Sequence, residues 1–104
     1  MIIDIDDFKE FNYTYGHLVG DEVIESVTEI LSNQKRTEDD FVARFGGDEF
    51  IAILPNSTKK DAIIFAEAFR EGLLVVSKKL NIDIEVTVSI GIASSIPSEN
   101  ESEQ

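Results

Sequence analysis

Two apolar runs, Phe41-Val42-Ala43-Arg44-Phe45 and Phe50-Ile51-Ala52-Ile53-Leu54, stand either side of Gly46-Gly47-Asp48-Glu49. Runs of that length joined by a glycine turn predict a β-hairpin, because glycine alone enters the left-handed backbone region without steric penalty. Pro55 ends the second run, since proline has no N–H to offer a strand ladder. A lone hairpin is marginal in water, so the rest of the chain must supply further strands and a covering layer.

The remaining periodicity supplies both. Ile2-Ile3-Asp4-Ile5 reads as a buried strand already in progress at residue 1. Residues 6–12 read as a short helical turn with Phe8 and Phe11 on one face, stopped by Gly16. Asp21 is placed to cap a helix over 20–33, whose apolar stripe is Val23, Ile24, Val27, Ile30 and Leu31. Ser32 to Asp40 is polar and predicts a loop. Thr58 caps a further helix to about Ser77, with Ala62, Phe65, Phe69, Leu73 and Val76 facing inward. Ile82 to Ile90 alternates with period two and predicts a half-buried strand. From Ser94 the chain lacks periodicity, so residues 1–93 are expected to form the domain core and 94–104 a disordered tail or cut linker. The order strand, helix, helix, hairpin, helix, strand describes an α+β domain: a largely antiparallel sheet with helices packed on it, ferredoxin-like or palm in architecture.

Composition narrows the functional classes. The 104 residues are 42% hydrophobic and 29% charged, with no apolar run long enough to cross a bilayer and no cysteine. The N-terminus lacks the basic region of a signal peptide. A cytoplasmic domain without membrane contact is expected. The formal charge of -12 argues against nucleic-acid binding, which draws on clustered Lys and Arg. A chain this acidic can handle a small polyanion such as a nucleotide only if metal ions neutralise much of the charge.

The carboxylates allow that. Asp4 sits in an otherwise apolar strand, where an ionised group is costly unless paired or metal-bound. If that strand lies beside the hairpin, Asp4 and Asp48 converge at one edge of the sheet and offer the hard oxygen ligands that Mg²⁺ prefers. The alternative is that Asp4, Asp48 and Glu49 are solvated turn residues. Gly46 and Gly47 can bring main chain close to phosphate oxygens, or simply make a turn. Lys9 can reach a phosphate or be a solvated helix lysine. Asn12 and Asp21 match the donors and acceptors of a purine edge; taken singly they read as a turn residue and a helix cap. His17, the only histidine, suits a base or ligand role, or a structural hydrogen bond.

Taken together these pieces resemble the GGDEF domain family of diguanylate cyclases over residues 1 to about 93. The likeness rests on Asp4-Ile-Asp-Asp-Phe-Lys-Glu-Phe-Asn12, Gly16-His17, Gly20-Asp21, Arg44-Phe-Gly-Gly-Asp-Glu-Phe50 and Thr87-Val-Ser-Ile-Gly91, in that order and spacing. The resemblance implies a nucleotidyl cyclase palm with the GGDEF signature in the hairpin turn. It implies condensation of two GTP molecules into cyclic di-GMP with release of pyrophosphate, dependent on Mg²⁺ or Mn²⁺, in bacterial second-messenger signalling. Asp4, the Ile5 carbonyl and Asp48 would hold the metal, and Asp48, assisted by Glu49, would act in catalysis. Asn12 and Asp21 would bind guanine; the Phe8 main chain, Lys9, Gly46 and Gly47 would approach the phosphates. A homodimer and an upstream sensor domain are implied partners.

The sequence departs from the family pattern in three ways. Tyr13 stands where the family usually has Asp after the guanine-binding Asn. Thr37 replaces the Arg expected to pair with Asp40 in the product-inhibition motif, and Arg36 with Asp39 repeats that motif one residue out of register, so no inhibitory site is expected. The family's N-terminal helix and C-terminal region are missing, which implies an incomplete domain core. A catalytically inactive GGDEF domain that binds GTP or cyclic di-GMP as a regulatory module is the alternative function. A palm cyclase or polymerase acting on another nucleotide would share the two carboxylates but not Asn12 and Asp21.

Overall fold

The computed structural model describes residues 1–82 and 85–93. Its elements are β1 (Ile2–Ile5), α1 (Phe8–Tyr15), α2 (His17–Asn33), β2 (Phe41–Arg44), β3 (Glu49–Ile53), α3 (Lys59–Leu73), α4 (Val76–Lys79) and β4 (Val88–Gly91). All pairings are antiparallel and the strand order is β2-β3-β1-β4, so β1 lies beside β3 of the hairpin. This is the expected α+β sheet with helices packed on it.

Alternation sorts the two sheet faces. Ile3, Ile5, Phe50, Ala52 and Val88 point to the helices and are buried; Val23, Val27, Leu31, Phe65, Phe69, Leu73 and Val76 close the core from the other side. The opposite face carries Ile2, Asp4, Ser89, Glu49, Ile51, Ala43 and the cross-strand pair Phe41 and Ile53. Phe41 and Ile53 are both exposed there.

Several boundaries differ from expectation, each for a local reason. The first helical turn is a full helix to Tyr15, because Phe8 stacks on Phe11 (centroids 6.1 Å apart) and Phe11 on Tyr15 (4.8 Å). Gly16, at φ 89°, ends α1 and opens α2, a conformation that favours glycine. The second helix therefore starts at His17, and Asp21 lies inside it and does not cap it. Asn12 is likewise helical, not a turn residue.

Thr58 caps α3 as expected, in a reciprocal capping box with Asp61, whose carboxyl is held below its usual range by the Thr58 N–H and hydroxyl. The helix stops at Leu73, and Val76 is buried from the separate turn α4. Only Val88–Gly91 of the expected last strand pairs with β1, because β1 ends at Ile5; just beyond, Asp6 N–H still bonds Thr87 O. That expectation also covers residues 83 and 84, and the tail reading covers 94–104; both stretches lie outside the described residues.

The hairpin forms with β2 and β3 joined through Phe45–Asp48, closed by Phe45 N–H and Gly46 N–H on Glu49 O. Neither Gly46 nor Gly47 has positive φ, so the expected left-handed glycine turn is not what makes it. The turn is instead clamped by Arg44, whose Nε donates to Gly46 O (3.0 Å) and whose Nη2 donates to Gly47 O (2.7 Å).

In the loop after α2, the buried Asp40 carboxylate accepts hydrogen bonds from Arg36 Nε (3.0 Å), Arg36 Nη2 (3.1 Å) and the Arg36 main chain (2.9 Å). Arg36 also reaches Ser57. The Arg36 side chain is 37% exposed while that of Asp40 is fully covered, so the pair anchors this loop from inside. Hydrogen bonding by the guanidinium holds Asp40 down to about 2, against the opposing effect of burial.

Arg36→Met is expected to cost about 2 kcal/mol, the scale for charged hydrogen bonds to a buried group. Because the folded pKa of Asp40 is depressed, its contribution is present above the ordinary carboxylate value of 3.8 and is lost as pH falls toward 2. The gap between parent and Arg36→Met melting temperatures should therefore be full at pH 6 and close as pH falls from about 4 to 2; a gap independent of pH would contradict this.

Candidate functional site

The sheet order places Asp4 of β1 directly opposite Glu49 of β3, and Ile5 N–H donates to Asp48 O at 3.0 Å. One carboxylate oxygen from each of Asp4, Asp48 and Glu49 lies within 4.8 Å of the others. Like charges facing across a strand pair are destabilising, and a cation among these three would relieve that repulsion. Their donor set is all hard oxygen, the kind that suits Mg²⁺ or Mn²⁺. The three converge as a group, next to the Ile5 main chain.

From β1 the chain passes through Asp6 and Asp7, the latter left-handed at φ 53°, straight into α1. This short connection sets Phe8 and Lys9 at the start of α1. Phe8 is half-buried and Lys9 exposed. Lys9, Asn12, Tyr13 and His17 line an open pocket of about 210 Å³. His17 is exposed at the first position of α2. Tyr13 is 80% exposed, so it is available to a molecule in that pocket.

Asn12 Oδ1 is buried and has no hydrogen-bond partner. Such an orphan costs about 1–3 kcal/mol. It lies against Gly20, where an added methyl group would overlap the Asn12 amide. Asp21, next along α2, is exposed and is not among the residues lining the pocket. Gly46 is half-buried, Gly47 is exposed, and no atom lies within 4 Å of where a Gly47 Cβ would stand. Sterics within the chain therefore do not require a glycine at 47.

Arg44 is a site residue that the sequence reading did not single out. Its signal was the two- and three-residue spacing to the glycine carbonyls it clamps.

Comparison with known proteins accords with this geometry. The family model described as "Diguanylate cyclase, GGDEF domain" matches residues 1–104. The chain belongs to the GGDEF domain family. Diguanylate cyclase A of Treponema denticola is 43% identical over 97 residues, which is 90% of this chain and 25% of that protein. The chain thus spans about a quarter of that relative's length.

Among solved structures, diguanylate cyclase SiaD of Pseudomonas aeruginosa, in complex with its activator SiaC, superposes with a TM-score of 0.74 at 31% identity. That match covers 85% of this chain and 34% of SiaD. The GGDEF domain of DgcB from Caulobacter crescentus, in complex with c-di-GMP, gives 0.73 at 34% identity, covering 85% of this chain and 53% of that one. In this GGDEF domain the signature tetrad Gly46-Gly47-Asp48-Glu49 therefore has a structural division of labour. The glycine carbonyls are held by Arg44, and the two acids face Asp4.

Proposed function

We propose that this GGDEF domain condenses two GTP molecules into cyclic di-GMP, releasing pyrophosphate, in second-messenger signalling. The observation that carries the reading is the carboxylate cluster of Asp4, Asp48 and Glu49 at the mouth of the β1–α1 connection. Asp4, Asp48 and the Ile5 carbonyl would hold Mg²⁺ or Mn²⁺. When bound, the ion supplies charge neutralisation at the phosphates and lowers the cost of ionising the attacking hydroxyl.

The chain's own residues do the rest. Asp48, with Glu49 beside it, takes the proton from the 3′-hydroxyl of one GTP. That oxygen bonds to the α-phosphorus of the other, the bond to pyrophosphate breaks, and the step is performed twice. The Phe8 main chain and Lys9 orient the triphosphate, and Gly46 and Gly47 leave room for it at the turn. Asn12 and Asp21 make the guanine contact. One GTP per domain makes a homodimer part of the reaction, and an upstream sensor domain would control that pairing. The Arg36 guanidinium is engaged with Asp40 and Ser57, which supports the absence of an inhibitory site. A cytoplasmic setting without nucleic-acid or membrane partners is part of the reading.

A second reading, an inactive domain that binds GTP or cyclic di-GMP as a regulatory module, draws on Tyr13 in the pocket. The test is mass-spectrometric detection of cyclic di-GMP after incubation of the chain with GTP and Mg²⁺ or Mn²⁺. Product with two pyrophosphates per molecule supports cyclase activity. Nucleotide binding without product favours the second reading, and neither overturns both.

Gly20→Ala is expected to weaken GTP binding about 10-fold by pushing the Asn12 amide off its position, with a small change in melting temperature. Titration with a fluorescent GTP analogue checks it; unchanged affinity would remove Asn12 from the guanine contact.

A further inference from the structure

The β1–α1 connection contains a carboxylate that the cluster does not use. Asp6 is two residues from Asp4, yet it is not part of the acidic group formed by Asp4, Asp48 and Glu49. Both of its oxygens are engaged from β4 or the residue just before it. Thr87 Oγ1 donates to Asp6 Oδ2 at 2.8 Å, and Ser89 Oγ donates to Asp6 Oδ1 at 2.6 Å. Asp6 N–H donates in turn to Thr87 O at 2.9 Å. Three hydrogen bonds spanning more than 80 residues of sequence converge on one residue of a two-residue connection.

We infer that Asp6 is a positioning residue: its clamp on Thr87 and Ser89 fixes the β1–α1 connection, and with it the Ile5 carbonyl and the Phe8 and Lys9 main chain, in place for metal and triphosphate. The inference rests on the nucleotide reading above. The geometry explains why a second aspartate is wanted in Asp4-Ile5-Asp6. A charged acceptor makes shorter and stronger bonds to hydroxyl donors than a neutral one. The next residue, Asp7, is left-handed at φ 53°, a conformation that aspartate tolerates better than most side chains. Ser89 is also the register partner of Asp4, so the clamp and the candidate metal ligand share one rung of the sheet. A shift of this connection would move Ile5 relative to Asp4 and Asp48 without touching either carboxylate. Groups misplaced by about 1 Å lose most of their benefit.

The test measures affinity for a fluorescent GTP analogue, the Mg²⁺ concentration for half-saturation, and the melting temperature. It uses the whole chain, Asp6→Ala, the double variant Thr87→Val with Ser89→Ala, the triple combination and Thr87→Ser. The expected result is a loss of affinity of about 10-fold for Asp6→Ala and for the double variant, with a raised Mg²⁺ requirement. The triple combination should be no worse than either, because both remove one clamp, and Thr87→Ser, which keeps the hydroxyl, should bind as the parent does. Parental affinity and Mg²⁺ dependence in Asp6→Ala would overturn the inference, as would losses that multiply in the triple variant. A lowered melting temperature with unchanged affinity of the folded protein would reduce the clamp to a purely structural role and overturn it too. If the parent chain itself binds no GTP analogue, the nucleotide reading fails and the inference falls with it.

Discussion

Asp48→Asn is expected to lower cyclic di-GMP formation on the order of 10³-fold while the melting temperature holds or rises. Asparagine keeps the shape of the side chain, and the bond from Ile5 N–H goes to the Asp48 main-chain oxygen, so the strand pairing is untouched. What changes is charge. One of three crowded carboxylates is neutralised, which relieves repulsion with Asp4 and Glu49 in the ion-free protein. The same change removes a proposed metal ligand and the proposed proton acceptor. Product measured by mass spectrometry and unfolding followed by circular dichroism should therefore move in opposite senses. Turnover near the parental rate would exclude Asp48 from the chemistry.

Phe50→Ala should fail in the other way. Phe50 is the last letter of the signature, but it is 1% exposed and faces the helices between Ile3 and Ala52 of the core. Truncating such a phenylalanine costs about 3–5 kcal/mol in lost burial and residual cavity. For a domain of this size that is a large share of total stability and lowers the melting temperature by roughly 12 °C or more. Activity should be lost in proportion to the unfolded fraction and return on cooling, which Asp48→Asn cannot do. A Phe50→Ala protein that melts like the parent would mean that its neighbours collapse to fill the space.

Which parts of this domain the chain discloses follows from the range of the interactions. The hairpin, α2 and α3 are written in local periodicity and caps: the run Val23, Ile24, Val27 and Leu31 faces the core as its spacing requires, and Thr58 with Asp61 forms the capping box. Asp21 was misread as a cap because Asp is a good one, whereas Gly16 takes that place by closing one helix and opening the next. The end of the last strand was overextended for a different reason. Alternation continues through Val86 and Thr87, but the partner strand β1 ends at Ile5, where the chain passes into α1.

The candidate site shows the same contrast. The convergence of Asp4 with Asp48 and Glu49 was legible once a β1–β3 pairing was supposed, since alternation then decides which side chains share a face. The glycine turn was legible as a turn but not in its mechanism, because Arg44, and not positive φ, shapes it. The burial of Asp40 has no signature in a polar stretch, although its partner Arg36 is only four residues away. The orphaned Asn12 oxygen is likewise a property of helix packing against Gly20 that no spacing rule contains.

The acidic rung of Asp4 and Glu49 also has a thermodynamic side. An ion that binds the folded sheet and not the unfolded chain adds RT ln(1 + [ion]/Kd) to stability, about 2.7 kcal/mol at a hundredfold excess over Kd. If the rung takes magnesium as proposed, free magnesium becomes a variable of folding. A calorimetric scan with and without chelator reads occupancy of the rung with no nucleotide present, so a domain whose chemistry is silent still reports whether its palm is loaded.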